Sequence, residues 1–169
     1  MVRPGILFYG YYPDRCVADY LIEEKGFAPE FKPLMELKTR IESVKKVEKG
    51  TSISYGRTWF ASEDTYIATL PIGYADGLLR HFAGKLSVQI NGKMFPIVGR
   101  ICMDQCMVDL GSDCGESSGE KVKVWDEVTI FGCDDSDGNT AETLANIAGT
   151  ISYEITCSIN KRVPRVYVG

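Results

Sequence analysis

Asn91-Gly92 is the strongest local constraint in this chain. An Asn-Gly pair tolerates the left-handed backbone of a two-residue type I′ turn, whose twist matches that of the strands it joins. With Lys85–Ile90 before it and Lys93–Val98 after it, the segment is predicted to be a β-hairpin. Strand signals recur along the chain. Leu37, Thr39, Ile41 and Ser43 alternate with Lys38, Arg40 and Glu42, which predicts a half-exposed strand from Met35 to Val47. Thr65–Leu70 is a predicted strand stopped by Pro71 and followed by the loop Gly73-Tyr-Ala-Asp-Gly77; Glu127–Phe131, Ile151–Ile159 and Arg162–Val168 are predicted strands as well. One helix stands out, with Asn139 as cap, Glu142 completing a capping box, and an apolar stripe of Ala141, Leu144, Ala145 and Ala148 ending at Gly149. A shorter helical stretch is expected near Val17–Glu24, inside a Pro- and Gly-bearing segment, Tyr11 to Pro33. Many short strands separated by turn signals suggest a closed antiparallel barrel or a sandwich.

The stretch Ile97-Val-Gly-Arg-Ile-Cys-Met-Asp-Gln-Cys-Met-Val-Asp109 reads as one long strand buried on both faces over part of its length. Met103-Asp104-Gln105 interrupts it with polar groups. Burying a carboxylate and an amide costs several kcal/mol unless both find partners. Either the segment is an edge strand with Asp104 and Gln105 in water, or those residues serve a function.

Composition narrows the classes. The 169 residues are 44% hydrophobic and 25% charged, which suits one soluble globular domain. A net charge of −4 with no block of Lys and Arg argues against a nucleic-acid footprint. No apolar run is long enough for a membrane span, and Gly5–Tyr9 is too short for a signal sequence. The six cysteines form no CxxC pair, so reduced thiols in a cytoplasmic protein are expected. Cys102 and Cys106 on an extended strand would stand too far apart to close one metal site unless the chain bends. With a single histidine, His81, no metal site is expected. Asp134–Gly138 imitates the start of a calcium loop, but Leu144 occupies the place of the closing glutamate and an acidic turn is the better account. Neither phosphate-binding glycine loop nor a GxSxG nucleophile elbow occurs.

Three tyrosines sit beside small residues: Tyr55 in Ser-Tyr-Gly, Tyr74 in Gly-Tyr-Ala-Asp-Gly and Tyr153 in Ile-Ser-Tyr-Glu. Each alone reads as an amphipathic core or rim residue. Together with Arg3, Arg80 and Arg100 they suggest proton chemistry. A tyrosine with an ordinary pKa of ~10 becomes a usable base only when positive charge stabilises its phenolate.

Val2-Arg-Pro-Gly5, Ser54-Tyr-Gly56, Pro71–Gly77, Pro96–Gln105, Thr150–Glu154 and Lys161-Arg-Val-Pro-Arg165 together resemble the bacterial alanine racemases, in order and over nearly the whole chain. The resemblance implies a mainly β fold, a closed Greek-key-like β-barrel with one short helix. It implies that residues 1–10 are the last strand-turn of a preceding (β/α)8 barrel, 11–34 a connecting loop and 35–169 a C-terminal β-barrel domain. The preceding barrel, with the lysine that holds pyridoxal 5′-phosphate covalently, is not matched, so the chain is expected to come from a longer protein and to be inactive alone.

Residue roles follow from the same resemblance. Tyr55 is implied to be the catalytic base that acts on the L-enantiomer. Met103 is implied to bind the substrate carboxylate through its backbone N–H. Arg3 is expected to face the cofactor's pyridine nitrogen, Gly5 and Ile6 to donate backbone N–H groups to its phosphate, and Tyr153 to hydrogen-bond that phosphate. Tyr74, Arg80, Asp104 and Ile151 are expected along the substrate's access channel. The family's head-to-tail homodimer implies that Tyr55, Met103, Tyr74 and Asp104 serve the partner's site. The implied function is interconversion of L- and D-alanine for cell-wall precursors in the cytoplasm, or at a membrane if an upstream part carries spans. Two alternatives are a fold-type III pyridoxal-phosphate decarboxylase domain, whose Cys-Asp motif Cys102-Met-Asp104 imitates only in order, and a non-catalytic β-barrel that dimerises or binds a ligand.

Overall fold

The Asn91-Gly92 turn forms with both residues left-handed, at φ 49° and 76°. It joins β6 (Ser87–Ile90) to β7 (Lys93–Val98) in an antiparallel pair with Ile90 opposite Lys93. A computed structural model of the chain describes residues 1–114, 120–132 and 138–168. The acidic turn expected at 134–138 therefore lies almost wholly outside the described residues.

The remaining strands are β1 (Leu37–Arg40), β2 (Ser43–Val47), β3 (Ser52–Ile53), β4 (Trp59–Phe60), β5 (Thr65–Leu70), β8 (Cys106–Asp109) and β9 (Glu127–Phe131). Of the nine strands among the described residues, seven form one antiparallel sheet in the order β1-β9-β6-β7-β8-β5-β2, and β3 with β4 makes a separate small ribbon. The sheet is a curled half-barrel and not the closed barrel that was expected. The strand predicted from Met35 to Val47 explains the difference. It bends between Ile41 and Glu42: the Ile41 N–H donates to Asp126 O, whereas the Glu42 N–H donates to Thr69 O. Consecutive halves of one strand cannot pair laterally, so β1 and β2 end up as the two edges of the sheet, joined by chain and not by a ladder.

The curl also passes through β7. Lys93–Pro96 pair with β6, and Ile97 and Val98 pair with β8. Pro96, which has no N–H to give a ladder, sits where the strand changes partner. The stretch Ile97–Asp109 is consequently two strands and a loop. At Gly99 (φ 66°) a Cβ would stand 2.7 Å from Ile53 O, so only glycine permits both the turn and this approach. The polar Met103-Asp-Gln interruption falls in the loop.

Three α-helices occur among the described residues, where one clear helix and a helical stretch near Val17–Glu24 were expected: α1 (Arg15–Lys25), α2 (Ala141–Ala148) and α3 (Ser152–Ser158). α1 is the stretch foreseen near Val17–Glu24, capped by Asp14 accepting from Cys16 N–H. α2 lies as predicted, but its cap is Thr140, whose hydroxyl accepts from Thr143 N–H at 3.1 Å. Asn139 instead donates its side-chain amide to Ser87 O and Ile130 O, tying β6 to β9. Ile151–Ile159, expected as a strand, is mostly α3. Ser152, Ile155, Thr156 and Ile159 are the buried positions, a spacing of three and four residues that only a helix places on one face. α3 packs on α2. Arg162–Val168, also expected as a strand, is irregular chain.

A continuous core runs through the sheet and onto the helices, from Leu37, Ile41, Ala68 and Leu70 through Val88, Val108 and Phe131 to Leu144 and Ile155. Ile6 and Tyr11 belong to it, so the N-terminal 3-10 turn (Gly5–Tyr9) is anchored to this body. Among the described residues, no helix is long and apolar enough to cross a membrane.

Candidate active site

Tyr55 stands on a 3-10 turn, 74% exposed, between two residues held in unfavourable backbone conformations. Ser54 has φ 67° and Arg57 φ 48°, and neither is glycine. Such strain persists only where surrounding contacts over-determine it. Those contacts come from the loop after β7. Ser54 Oγ donates to Arg100 O at 2.6 Å and lies 3.7 Å from Cys102 Sγ. The Arg100 guanidinium lies beside Gly56, with Cζ 3.1 Å from the position a Gly56 Cβ would take.

The same loop carries a second turn on its other side. Tyr74 N–H donates to Cys102 O at 3.0 Å and Ala75 N–H to Met103 O at 2.8 Å. This stitching needs Gly73, where a Cβ would lie 2.3 Å from Cys102 O. Asp76 holds the turn in shape: its carboxylate accepts from Gly73 N–H at 2.9 Å and from Arg162 Nε at 2.6 Å and Nη2 at 3.1 Å. Burial pushes the Asp76 carboxyl up, but hydrogen bonds from Arg162 and Gly73 and the guanidinium charge outweigh it, leaving the pKa below the ordinary carboxylate value. Three loops are thus sewn into one rim that presents Tyr55, Tyr74, Met103 and Asp104, all exposed.

A second group gathers at the N-terminal turn. The Tyr153 hydroxyl, on α3, lies 3.6 Å from where a Gly5 Cβ would be. Among the described residues the N–H groups of Gly5 and Ile6 meet no backbone carbonyl, because they precede the first bond of the turn, Leu7 N–H to Pro4 O. Ile151 is exposed immediately before α3. Arg3 is exposed and forms no ion pair among the described residues. Arg80 lies on another 3-10 turn, Arg80–Phe82, which packs against α2. The segment after α3 joins the two groups, since Asn160 N–H donates to Asp76 O at 3.1 Å.

Two cysteines do other work. Cys106 is fully buried in β8, and burial, with a smaller push from Cys102, raises its thiol to about 12. The Cys102 thiol faces Arg100 O and Ser54 Oγ inside the loop, which gives the decarboxylase-like Cys-Met-Asp order a packing explanation. No group of three or more His, Cys, Asp or Glu residues suited to a metal occurs among the described residues.

The family profile described as "Alanine racemase, C-terminal domain" matches residues 34–167. This chain is a member of that family. The alanine racemase of Treponema denticola is 52% identical over 171 residues, covering 99% of this chain and 41% of that protein. The structure of alanine racemase from Bacillus anthracis with bound L-Ala-P superposes with a TM-score of 0.82 at 35% identity, covering 97% of this chain and 39% of that one. Alanine racemase from Streptomyces coelicolor A3(2) superposes with a TM-score of 0.82 at 39% identity, covering 99% and 40%. The chain therefore spans about two fifths of the length of its racemase relatives.

Most residues singled out for the racemase site fall in one of the two groups, with Arg3 and Arg80 outside the hydrogen-bonded parts. Three that shape the rim were not foreseen. Ser54 and Asp76 carry a local hint, each being a small polar residue beside a glycine-bearing turn. Arg162 stood only within the resembling motif Lys161–Arg165, and its pairing was not legible because its partner lies 86 residues away in sequence.

Proposed function

We propose that this chain forms the C-terminal half of the active site of a pyridoxal-phosphate-dependent racemase that interconverts L- and D-alanine. The observation that carries the reading is the exposed Tyr55 on a strained turn that Ser54 ties to the Met103 loop. A racemase must take a proton from one face of the substrate's α-carbon and return one to the other, which requires two bases on opposite sides. Tyr55, solvent-facing beside the tied Ser54 and with the Arg100 guanidinium next to Gly56, suits the base for the L-enantiomer; a lysine beyond the part of the relatives spanned here would be the other.

The groups at the N-terminal turn fit the cofactor's phosphate: two backbone N–H donors with no backbone carbonyl partner among the described residues lie there, and the Tyr153 hydroxyl is beside Gly5. Gly5, Ile6 and Tyr153 would hold the phosphate, and Arg3 would face the pyridine nitrogen. When bound, the cofactor supplies an electron sink for the charge left on the α-carbon. Arg3 keeps that sink modest, because a guanidinium does not yield its proton to a ring nitrogen. The Met103 N–H would hold the substrate carboxylate, while Tyr74, Arg80, Asp104 and Ile151 would line the approach. The relatives' names favour alanine as substrate. The assembly proposed is a head-to-tail homodimer in the cytoplasm that supplies D-alanine for cell-wall precursors, with this rim completing the partner's site.

The test is Tyr55→Phe in the full-length protein. Enantiomers have equal free energy, so kcat/KM must fall equally in both directions; the expected loss is about 100-fold or more. The deciding readout is the primary isotope effect with α-deuterated L-alanine, which should rise as proton removal becomes rate-limiting. An unchanged rate and isotope effect would remove Tyr55 from the role of base.

A further inference from the structure

We infer that the Asp76–Arg162 pair is a positioning device for the substrate carboxylate: it fixes the direction of the Met103 N–H from the far side of the loop. The inference rests on the racemase reading above and deepens it.

The geometry runs through one peptide plane. The Cys102 carbonyl and the Met103 N–H belong to the same trans peptide unit and so point in opposite directions. Tyr74 N–H holds that carbonyl at 3.0 Å, and Ala75 N–H holds the next one, Met103 O, at 2.8 Å. With both carbonyls drawn toward the Tyr74 turn, the Met103 N–H is directed away from it, and among the described residues it has no backbone acceptor. A donor aimed in advance gains most against a ligand because no reorganisation is needed when the ligand arrives.

The turn that draws those carbonyls is itself held from behind. Asp76 is 7% exposed, and its two carboxylate oxygens take both Arg162 bonds and the Gly73 N–H, so the side chain closes the turn and ties it to the C-terminal segment at once. Asn160 N–H to Asp76 O adds a backbone tie, and at Gly77 a Cβ would strike Ser158 O at 2.7 Å, so the C-terminal segment backs the turn directly. A fork-to-carboxylate contact of this kind is directional in a way that a lysine ammonium is not. Arg162 also lies within the field of Asp104, which follows Met103 in the loop. Asp76 and Arg162 bond to the turn and to each other; they are positioning residues that act through Tyr74 and Met103.

The experiment uses the full-length protein with Arg162→Gln, Arg162→Lys and Asp76→Asn. KM for both alanine enantiomers should rise about tenfold, more than kcat falls, because a uniform contact with the carboxylate is weakened. Inhibition by propanoate, which keeps the carboxylate and lacks the amino group, should weaken by a similar factor. Arg162→Lys should restore little, since it returns the charge without the fork. Independently of activity, amide hydrogen exchange at Tyr74 and Ala75 should accelerate in the variants while exchange in the central strands stays unchanged. If Arg162→Gln does not fold, Arg162→Lys carries the same readouts. An active wild type whose folded variants keep their KM and propanoate inhibition overturns this inference and leaves the racemase reading standing. A wild type that does not racemise alanine overturns both.

Discussion

A single carboxylate organises more of this site than its position suggests. Asp76 ionises below the ordinary aspartate value in the folded chain, despite burial, because Arg162 and Gly73 stabilise its charge. The sign of its pH effect follows from linkage: with the folded pKa depressed, the stabilisation is fully present above the unfolded value of about 3.9 and is lost as pH falls through the folded pKa. Urea denaturation between about pH 3 and pH 7 should show Asp76→Asn less stable than wild type by a constant margin above about pH 5, with the margin shrinking below about pH 4. A margin independent of pH would mean that the carboxylate charge contributes nothing. Tyr55 was legible as a candidate only as one of three tyrosines beside small residues and through the racemase resemblance. The left-handed Ser54 and Arg57 beside it were not, since non-glycine strain leaves no mark in residue type; only contacts with the Arg100–Cys102 loop impose it.

At the scale of elements, local chemistry predicted well wherever the signal was local. The Asn91-Gly92 turn, β5 ending before Pro71, β9 and the body of α2 all rest on residues close in sequence. Prediction failed where a partner elsewhere decided. Ile151–Ile159 alternates as a strand would, yet burial against α2 selects the helical face of Ser152, Ile155, Thr156 and Ile159. Ile97–Asp109 breaks because Ile53 and the Tyr74 turn both close on the Gly99–Gln105 loop. Gly73 is the tightest of those contacts. Gly73→Ala would drive a Cβ against backbone that cannot yield cheaply, so a stability loss of about 1–3 kcal/mol is expected, together with a higher KM for alanine. Thermal unfolding and steady-state kinetics on the same variant check both. A variant with unchanged melting and KM would show that the turn and the loop can part without consequence.

At the scale of the molecule, the proposed roles of the two residue groups are complementary and incomplete. In that reading the exposed rim of Tyr55, Tyr74, Met103 and Asp104 would offer one base and one carboxylate contact, and the turn at Gly5 would offer phosphate ligands. Racemisation needs a second base on the opposite face. The purified 169-residue chain, supplied with pyridoxal phosphate, is therefore expected to leave the optical rotation of L-alanine unchanged; turnover by the folded chain would overturn the division of bases proposed above.

The order of residues alone determined the β-rich class, the hairpin, the α2 helix and the racemase resemblance, because turn chemistry, periodicity and short motifs act over a few residues. The tertiary structure decided that the sheet remains a half-barrel, since one bent strand supplies both of its edges. It also decided how the Met103 loop is held. By sequence that loop reads as a polar flaw in a buried strand. Its Cys102 and Met103 carbonyls are now seen to be drawn back by Tyr74 and Ala75, in a turn secured by Asp76 and Arg162, bonds between segments distant in sequence that no local pattern encodes.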